Sequence, residues 1–441
     1  MRKREVVSNS SSGSASTILV ILLLILSSVI FQGSSAGQQQ MSETEALFNR
    51  LVESRDTCRN FLLRKMRNAA GGFYSTYRED NQKSDVYGIN HEVTSESVGL
   101  VLIYAVAARN HSLFQEQFTF LRNYQIGSLG MTYWKLKPDL KPYPNSAGSF
   151  SAALIDDLRI LKALISGYEL WKDENYIRLA RGMISGIQHY RTADNLLVDN
   201  VDWVEGGSSQ KSEIVILGYL DLLALLKASK YEESMTAVYD RATKLVTGGQ
   251  QRETGLFHEL YNTSSSAYVT PKGEASTIFQ ILIALSLSET GLKKELNASY
   301  TFLKTAYLKD GVVHSAYDPR DGSHQDDEID TGSYSLLARL ALLEGDVTLA
   351  RRILEEKVLP EQDKQTGSPL CGAFTTTWPS GFLDANSWDN LLTIHFLEEM
   401  AISLQVIIPE ISTESSSMSP LIVVALAVGA TILLARKLKL S

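Results

Sequence analysis

Apolar residues recur between about residues 44 and 404 at the three- and four-residue spacing of amphipathic helices. This spacing predicts twelve helices, at 44–68, 92–108, 112–124, 149–170, 174–189, 210–228, 232–248, 272–291, 295–307, 331–344, 347–358 and 388–404. Their connections alternate between tight turns, such as Trp171-Lys172-Asp173 and Glu344-Gly345-Asp346, and long loops. The pattern therefore predicts a row of six helical hairpins.

Each hairpin is associated with a short segment that begins with a turn residue, usually Gly, and continues with residues that favour an extended backbone. The six Gly-led segments lie about sixty residues apart, at 72–77, 130–134, 195–199, 255–259, 311–315 and 372–376. A hairpin that buries only one face needs neighbours, and closing the row removes both unprotected ends. We therefore expect an all-α (α/α)6 toroid, with short strands in the long loops at one end.

Both ends of the chain carry apolar stretches with basic flanks. Arg2-Lys3-Arg4 and the apolar run 17–31 predict a signal peptide over residues 1–36, with an uncleaved signal anchor as the alternative. Residues 411–419 form a Ser-rich linker, and the apolar stretch 420–436 predicts a C-terminal transmembrane anchor. Because basic residues flank both stretches, the toroid domain at 41–410 is expected outside the membrane.

Composition limits the classes of partner and cofactor. The formal net charge is −8 and no long basic run occurs, so no nucleic acid partner is expected. The histidine spacings do not fit a metal site, and His258 and His314 occupy equivalent strand positions where a structural role is favoured. No cofactor is implied. Cys58 and Cys371 are predicted neighbours in a closed ring, as a disulfide or as two unpaired buried thiols.

Acidic residues lie at or near the start of every helix that follows a long loop. They are Glu96, Asp156, Asp157, Glu213, Glu274, Asp330 and Asp389. In the expected toroid these are the inner helices, so the carboxylates face one common depression. A glycosidic bond is cleaved by such a pair, one protonating the leaving oxygen while the other stabilises or hydrates the sugar carbon. The competing interpretation is that these carboxylates only cap the free backbone amides of the first helical turn and stabilise the positive end of the helix dipole.

Aromatic residues on the loops favour a carbohydrate ligand, because sugar rings stack on flat aromatic faces. The candidates for substrate binding are Tyr77, Tyr133, Trp134, Trp203, Tyr317, Trp378 and Trp388, and Tyr261 lies in a similar position. Each single ring is also a normal packing residue, but their concentration at one end of the expected ring favours a binding role.

The segment Thr94–Leu100 at the head of a predicted inner helix resembles the proton-donor segment of inverting glycosidases of glycoside hydrolase family 8 and relatives such as family 126. This resemblance implies that Glu96 is the acid. The stretch Met131–Leu136, with Trp134, resembles the next strand of that family. Family 8 implies β-1,4-linked substrates such as cellulose, xylan or chitosan, and family 126 implies α-glucan.

The family signature that begins Ala-Thr-Asp-Ala-Asp corresponds to Ala153–Asp157 and continues to Trp171. Asp157 matches the second aspartate, whereas the first falls on Ile155, so Asp156 would have to substitute for it and Arg159 would orient either carboxylate. The nearest match to the family's base segment is Gly273–Thr277, which implies Glu274.

Three functions remain open from the sequence. The first is a membrane-anchored extracytoplasmic glycoside hydrolase, with Glu96 as acid and Glu274, or failing it Asp157, as base, acting on a polysaccharide, oligosaccharide or envelope glycan. The second is a glycan-binding or surface scaffold protein that has lost the chemistry, favoured by Ile155. The third is a sugar epimerase or lyase on the same fold, which requires a His or Tyr base.

Overall fold

The computed structural model describes residues 35–78, 91–324, 327–377 and 383–407. It divides the chain into two compact units. One is Val52–Met400, and the described parts of the other are the start of the first helix, 35–51, and the end of the last, 401–407. Trp378, the linker, the C-terminal anchor and almost all of the predicted signal peptide lie outside the described residues. Within the described ranges, no helix combines the length and apolarity needed to cross a membrane.

The described residues contain the twelve expected helices, which alternate between outer and inner positions. The outer helices are α1 (Ser35–Phe61), α3 (His111–Phe120), α5 (Glu174–Ile187), α7 (Ser234–Gly248), α9 (Lys293–Asp310) and α11 (Val347–Ile353). The inner helices are α2 (Ser95–Ala107), α4 (Leu154–Trp171), α6 (Leu222–Ser229), α8 (Thr277–Thr290), α10 (Thr331–Leu343) and α12 (Ser387–Ile407). The tight turns after α4 and α10 are also present, with Lys172 and Gly345 at positive φ.

Short antiparallel strands lie in the long loops. They are β1 (Thr76–Tyr77), β2 (Val93–Thr94), β3 (Lys135–Leu136), β4 (Phe150–Ala153), β5 (Asn200–Trp203), β6 (Ser209–Lys211), β7 (Ile214–Ile216), β8 (Leu260–Asn262), β9 (Ala267–Val269), β10 (Ala275–Ser276), β11 (Ala316–Tyr317), β12 (Thr376–Thr377) and β13 (Leu383–Asn386). Most pairs join consecutive repeats, for example β2 with β3 and β10 with β11.

Contacts between the first and last repeats close the ring within the unit Val52–Met400. β1 pairs with β13, with Thr76 opposite Asn386. The Ser54 hydroxyl donates to the side-chain oxygen of Gln362 over 2.7 Å, although the two residues are 308 positions apart. The (α/α)6 toroid predicted from the sequence is confirmed.

The third inner helix begins later than predicted. The expected helix 210–228 is replaced at its start by strand β7 and a 3₁₀ turn, Leu217–Tyr219, so that α6 begins at Leu222. The run Ile214-Val215-Ile216 explains this, since β-branched residues favour a paired strand. Glu213 consequently lies before a strand rather than in a first helical turn.

Cys58 and Cys371 are both free thiols, so the disulfide that the sequence left open is not formed. Cys58 is buried and its thiol lies 3.3 Å from the side-chain oxygen of Asn390, whereas Cys371 is exposed.

Candidate active site

The N-termini of the inner helices lie at the same end of the repeats. In five repeats a residue at or near the end of a Gly-led segment accepts a hydrogen bond from the first residue of an inner helix or of its preceding turn. The carbonyl–amide pairs are Ser75–Ser387, Trp134–Ser95, Asp199–Leu154, Glu259–Leu217 and Ser315–Thr277. We call the surface formed by these helix starts and segment ends the mouth.

Glu96 lies in the first turn of α2, at the mouth. Its side chain is half-buried, so solvent reaches it although protein surrounds it on most sides. Burial, followed by the negative charge of Asp156, raises its pKa to about 7, with Asp330 adding a smaller effect and Arg159 opposing it. Glu96 is therefore a carboxyl group that holds its proton near neutral pH, as a general acid requires.

Asp156 and Arg159 form a buried ion pair beside Glu96. The Arg159 guanidinium donates to Asp156 over 3.0 Å, and the Ser95 hydroxyl donates to the other carboxylate oxygen over 2.6 Å. Asp156 is 2% exposed, and burial raises its pKa. The close approach of α2 and α4 depends on Gly99, where an added Cβ would lie 3.1 Å from the Arg159 side chain. Glycine at this position thus helps to hold the acid next to the pair.

Asp330 is the N-cap of α10 and accepts a hydrogen bond from the Ser333 amide over 2.6 Å. The Trp388 indole also donates to the same carboxylate oxygen over 3.2 Å. Its negative charge is the smallest of the causes that act on the pKa of Glu96. The sequence placed Asp330 among the acids at helix starts without assigning it a role.

Tyr219 and Asp199 are additional residues at the mouth. Burial, followed by the charges of Asp156, Glu96 and Asp199, raises the pKa of Tyr219 to about 12. The phenol therefore stays protonated beside the acidic group. The expected helix over 210–228 concealed Tyr219, whereas Asp199 ends a Gly-led segment and its position was visible in the repeat pattern.

Asp157 has a different environment from that of Asp156. It is 1% exposed, and one oxygen accepts from the amide and hydroxyl of Thr132 while the other accepts from the Tyr190 phenol. In equivalent positions, the Gln280 side chain hydrogen-bonds both the amide and the carbonyl of Phe257, and the Asn390 side chain does the same with Phe374. Asp157 thus belongs to a repeated set of side chains that fix the Gly-led segments, which favours a positioning role over that of a base.

Glu274 is half-buried between the 3₁₀ turn Pro271–Gly273 and strand β10. It therefore precedes α8 rather than lying in its first turn. The neighbouring Glu259 accepts a hydrogen bond from the Ser276 amide over 2.8 Å, and burial raises the pKa of Glu259. The fourth repeat thus contributes two carboxyl groups to this part of the mouth.

The predicted aromatic residues divide into two groups. Trp134 is 48% exposed, and its carbonyl accepts a hydrogen bond from the Ser95 amide. Tyr133 and Trp388 are half-buried. Tyr77, Trp203 and Tyr317 are at most 7% exposed, so they do not present an open face to a sugar in this structure. The reason is local packing, since Trp203 stacks beneath Tyr133 at 5.5 Å between ring centroids.

No family model matches the chain. The protein "Putative lipoprotein YdaJ" of Bacillus subtilis (strain 168) is 25% identical over 225 residues, which are 51% of this chain and 57% of that protein. The match thus spans little more than half of the relative's length.

Solved structures match over most of the toroid. One described as a novel alpha-amylase from Clostridium perfringens has a TM-score of 0.68 at 23% identity, covering 79% of this chain and 97% of that chain. The family 8 endoglucanase Cel10 from Klebsiella pneumoniae has a TM-score of 0.54 at 13% identity, covering 79% of this chain and 99% of that chain. The chain therefore has the six-hairpin toroid fold of family 8 endoglucanases and related glycosidases.

Proposed function

We propose that the protein is a glycoside hydrolase in which Glu96 protonates the oxygen of the leaving sugar. The observation that supports this best is the pKa of Glu96, raised to about 7 by burial and by Asp156 and Asp330, in a side chain that solvent still reaches. Trp134, whose carbonyl accepts a hydrogen bond from the Ser95 amide, has an exposed ring that gives a sugar a surface for stacking.

We propose an inverting reaction. In this mechanism a second carboxylate activates a water on the opposite side of the sugar, at about 6.5–9.5 Å from the acid. Glu274 is the base implied by the family resemblance. Asp330 is a further candidate because its charge acts on the pKa of Glu96 and because Ser333 and Trp388 both donate to the same one of its two oxygens.

The location is part of the same proposal. The basic and apolar termini support a domain held outside the membrane by the stretch 420–436. The relative's description as a lipoprotein is compatible with a protein at a cell surface. A substrate in this location is a polysaccharide or an envelope glycan.

The proposal is tested by incubating the purified chain with α-glucans, cellulose, xylan, chitosan and envelope polysaccharides. We expect new reducing ends from at least one of them, with the anomeric configuration of the product inverted. Binding to one of these polysaccharides, with no new reducing ends released from any of them, would favour the scaffold function. An isomerised or unsaturated sugar would instead identify an epimerase or a lyase.

The pH dependence of activity tests the effect of Asp330 on Glu96. We expect kcat/KM to fall above about pH 7, as Glu96 loses its proton. Asp330→Asn removes a charge that raises the pKa of Glu96. The alkaline limb of the profile, where kcat/KM falls, should therefore move to lower pH. Because Asn is as good an N-cap as Asp, folding should be unaffected.

Glu274→Gln is the matched variant for this experiment. If Glu274 is the base, its replacement lowers kcat by about 10²–10⁴ and leaves the alkaline limb unmoved. A similar loss in Asp330→Asn, with full activity in Glu274→Gln, would assign the base to Asp330. An unmoved alkaline limb in Asp330→Asn would contradict the interaction between Asp330 and Glu96.

A further inference from the structure

We propose that Asp310, His314 and His324 form a binding site for a divalent transition-metal ion such as zinc. Asp310 ends α9, His314 precedes β11, and His324 follows β11 in the next loop. One ligand atom of each residue lies within 4.8 Å of the other two. The sequence spacing did not predict this group, because a turn of the chain through β11 brings the two histidines together.

The second observation concerns the side chain of His314. It is only 8% exposed, and its Nδ1 atom is buried with no hydrogen-bond partner among the described residues. A buried polar atom without a partner is costly in a folded protein and needs a physical reason. A metal ion held at this group would supply the missing partner.

The two imidazole rings lie in contact and are stacked face to face, so one of them has to turn before both can offer a ring nitrogen to the same ion. Their centroids are 3.6 Å apart and their planes differ by 9°. The backbone fixes His314, since its amide donates to the Tyr317 phenol over 3.0 Å and its carbonyl accepts from the Thr277 hydroxyl over 2.6 Å. Tyr317 also packs edge-on against both imidazole rings, at 5.9 and 5.6 Å between centroids.

The donor set selects the class of ion. Two imidazole nitrogens and one carboxylate oxygen suit zinc and other late first-row divalent metals, whereas magnesium and calcium prefer oxygen ligands alone. Tetrahedral zinc ligands with bonds of about 2.0–2.1 Å lie about 3.4 Å apart. The ligand atoms therefore need to approach one another by up to about 1.4 Å, with one imidazole ring turning out of the stack. The exposure of Asp310 and His324 leaves them room to rotate.

An ion at this position would tie the end of α9 to the loop after β11. Because β11 pairs with β10, with Tyr317 opposite Ala275, the ion would stiffen the side of the mouth that carries Glu274. The role inferred here is therefore a structural clamp, and it does not depend on the glycosidase proposal.

The test uses the tag-free full chain, stripped with a chelator and titrated with zinc in a calorimeter. We expect one ion per chain with a Kd below about 10 µM, and an increase in Tm on zinc addition, because an ion that binds the folded state stabilises it. Magnesium should produce neither effect. No saturable zinc binding, or equal binding of magnesium, would overturn the proposal.

Variants separate a site from nonspecific binding. His324→Ala and Asp310→Asn change exposed residues, so folding should persist while zinc affinity falls at least tenfold and the increase in Tm disappears. The control is His258→Gln, because His258 occupies the equivalent strand position but bonds Gln251 and Thr270 instead. This control should bind zinc as the natural chain does. Unchanged zinc binding in both His324→Ala and Asp310→Asn would show that the ion lies elsewhere and would refute the site.

Discussion

Replacing Glu96 with Gln is expected to abolish hydrolysis and to stabilise the fold above neutral pH. Gln has nearly the same size but cannot give a proton to a leaving oxygen, so kcat should fall by about 10²–10⁴. The folded protein disfavours the ionised form of Glu96, since burial and neighbouring carboxylates raise its pKa from about 4.5 to about 7. The uncharged variant avoids this cost.

The sign of the stability effect follows from proton binding. Between about pH 4.5 and 7 the folded state holds the Glu96 proton more tightly than the unfolded chain does. The contribution of this group to the free energy of unfolding therefore falls as the pH rises through that window. At pH 8 we expect Glu96→Gln to be more stable than the natural chain by about 1–3 kcal/mol, and at pH 4 by close to nothing.

Denaturant unfolding of both chains at pH 4, 6 and 8 measures the effect, beside an activity assay on the substrate found in the panel. Glu232→Gln is the control, because Glu232 is exposed in the turn before α7 and should change neither property. Turnover by Glu96→Gln at the natural rate would remove Glu96 from the mechanism. A stability difference that does not change with pH would contradict the raised pKa.

The fold was predictable from the sequence because it is a repeat. Six copies of one helical pattern and one Gly-led segment define hairpins that have to pack side by side, and the ring closes because its ends are otherwise exposed. The error at α6 has a local cause: the β-branched run Ile214–Ile216 pairs with β8, and this pairing outweighs the helical periodicity of the residues around it.

The candidate site was less predictable, because residue type at a helix start does not show what surrounds a side chain. Asp156 and Asp157 are adjacent in the chain, but one pairs with Arg159 beside Glu96 and the other clamps Thr132. Trp134 and Trp203 both lie in loops, but one is 48% exposed and the other 1%. Only the strand pairing and the hydrogen bonds separate these roles.

Replacing Arg339 with Met is expected to cause a large loss of stability. Arg339 lies on α10, nine residues after Asp330, and so about 14 Å along the helix from the mouth. It donates two hydrogen bonds to Glu399 on α12, at 2.7 and 3.2 Å, and one to Glu289 on α8 at 2.9 Å. Lys162 on α4 extends this network, since it contacts both Glu289 and Asp221.

The loss arises from the carboxylates that Arg339 leaves behind. Burial alone would raise the pKa of Glu399, but Arg339 and His395 outweigh it and hold the pKa well below its usual range. In Glu289 the charges of Lys162 and Arg339 likewise outweigh burial and lower the pKa. Removing one partner from a buried ion pair costs about 3–5 kcal/mol, because the remaining charge is left uncompensated.

The pH dependence identifies this cause. A carboxylate whose folded-state pKa is lowered stabilises the fold above its unfolded pKa, and this stabilisation is lost as the pH falls through the folded value. Arg339→Met lacks this stabilisation at every pH. The difference in the free energy of unfolding between the natural chain and the variant should therefore be largest near pH 7 and smaller in acid. Arg352→Ala is the control, since its pair with Glu356 on the outer helix is exposed and should contribute about 0–0.5 kcal/mol. If Arg339→Met unfolds within about 1 kcal/mol of the natural chain at pH 7, the network does not hold the inner helices together.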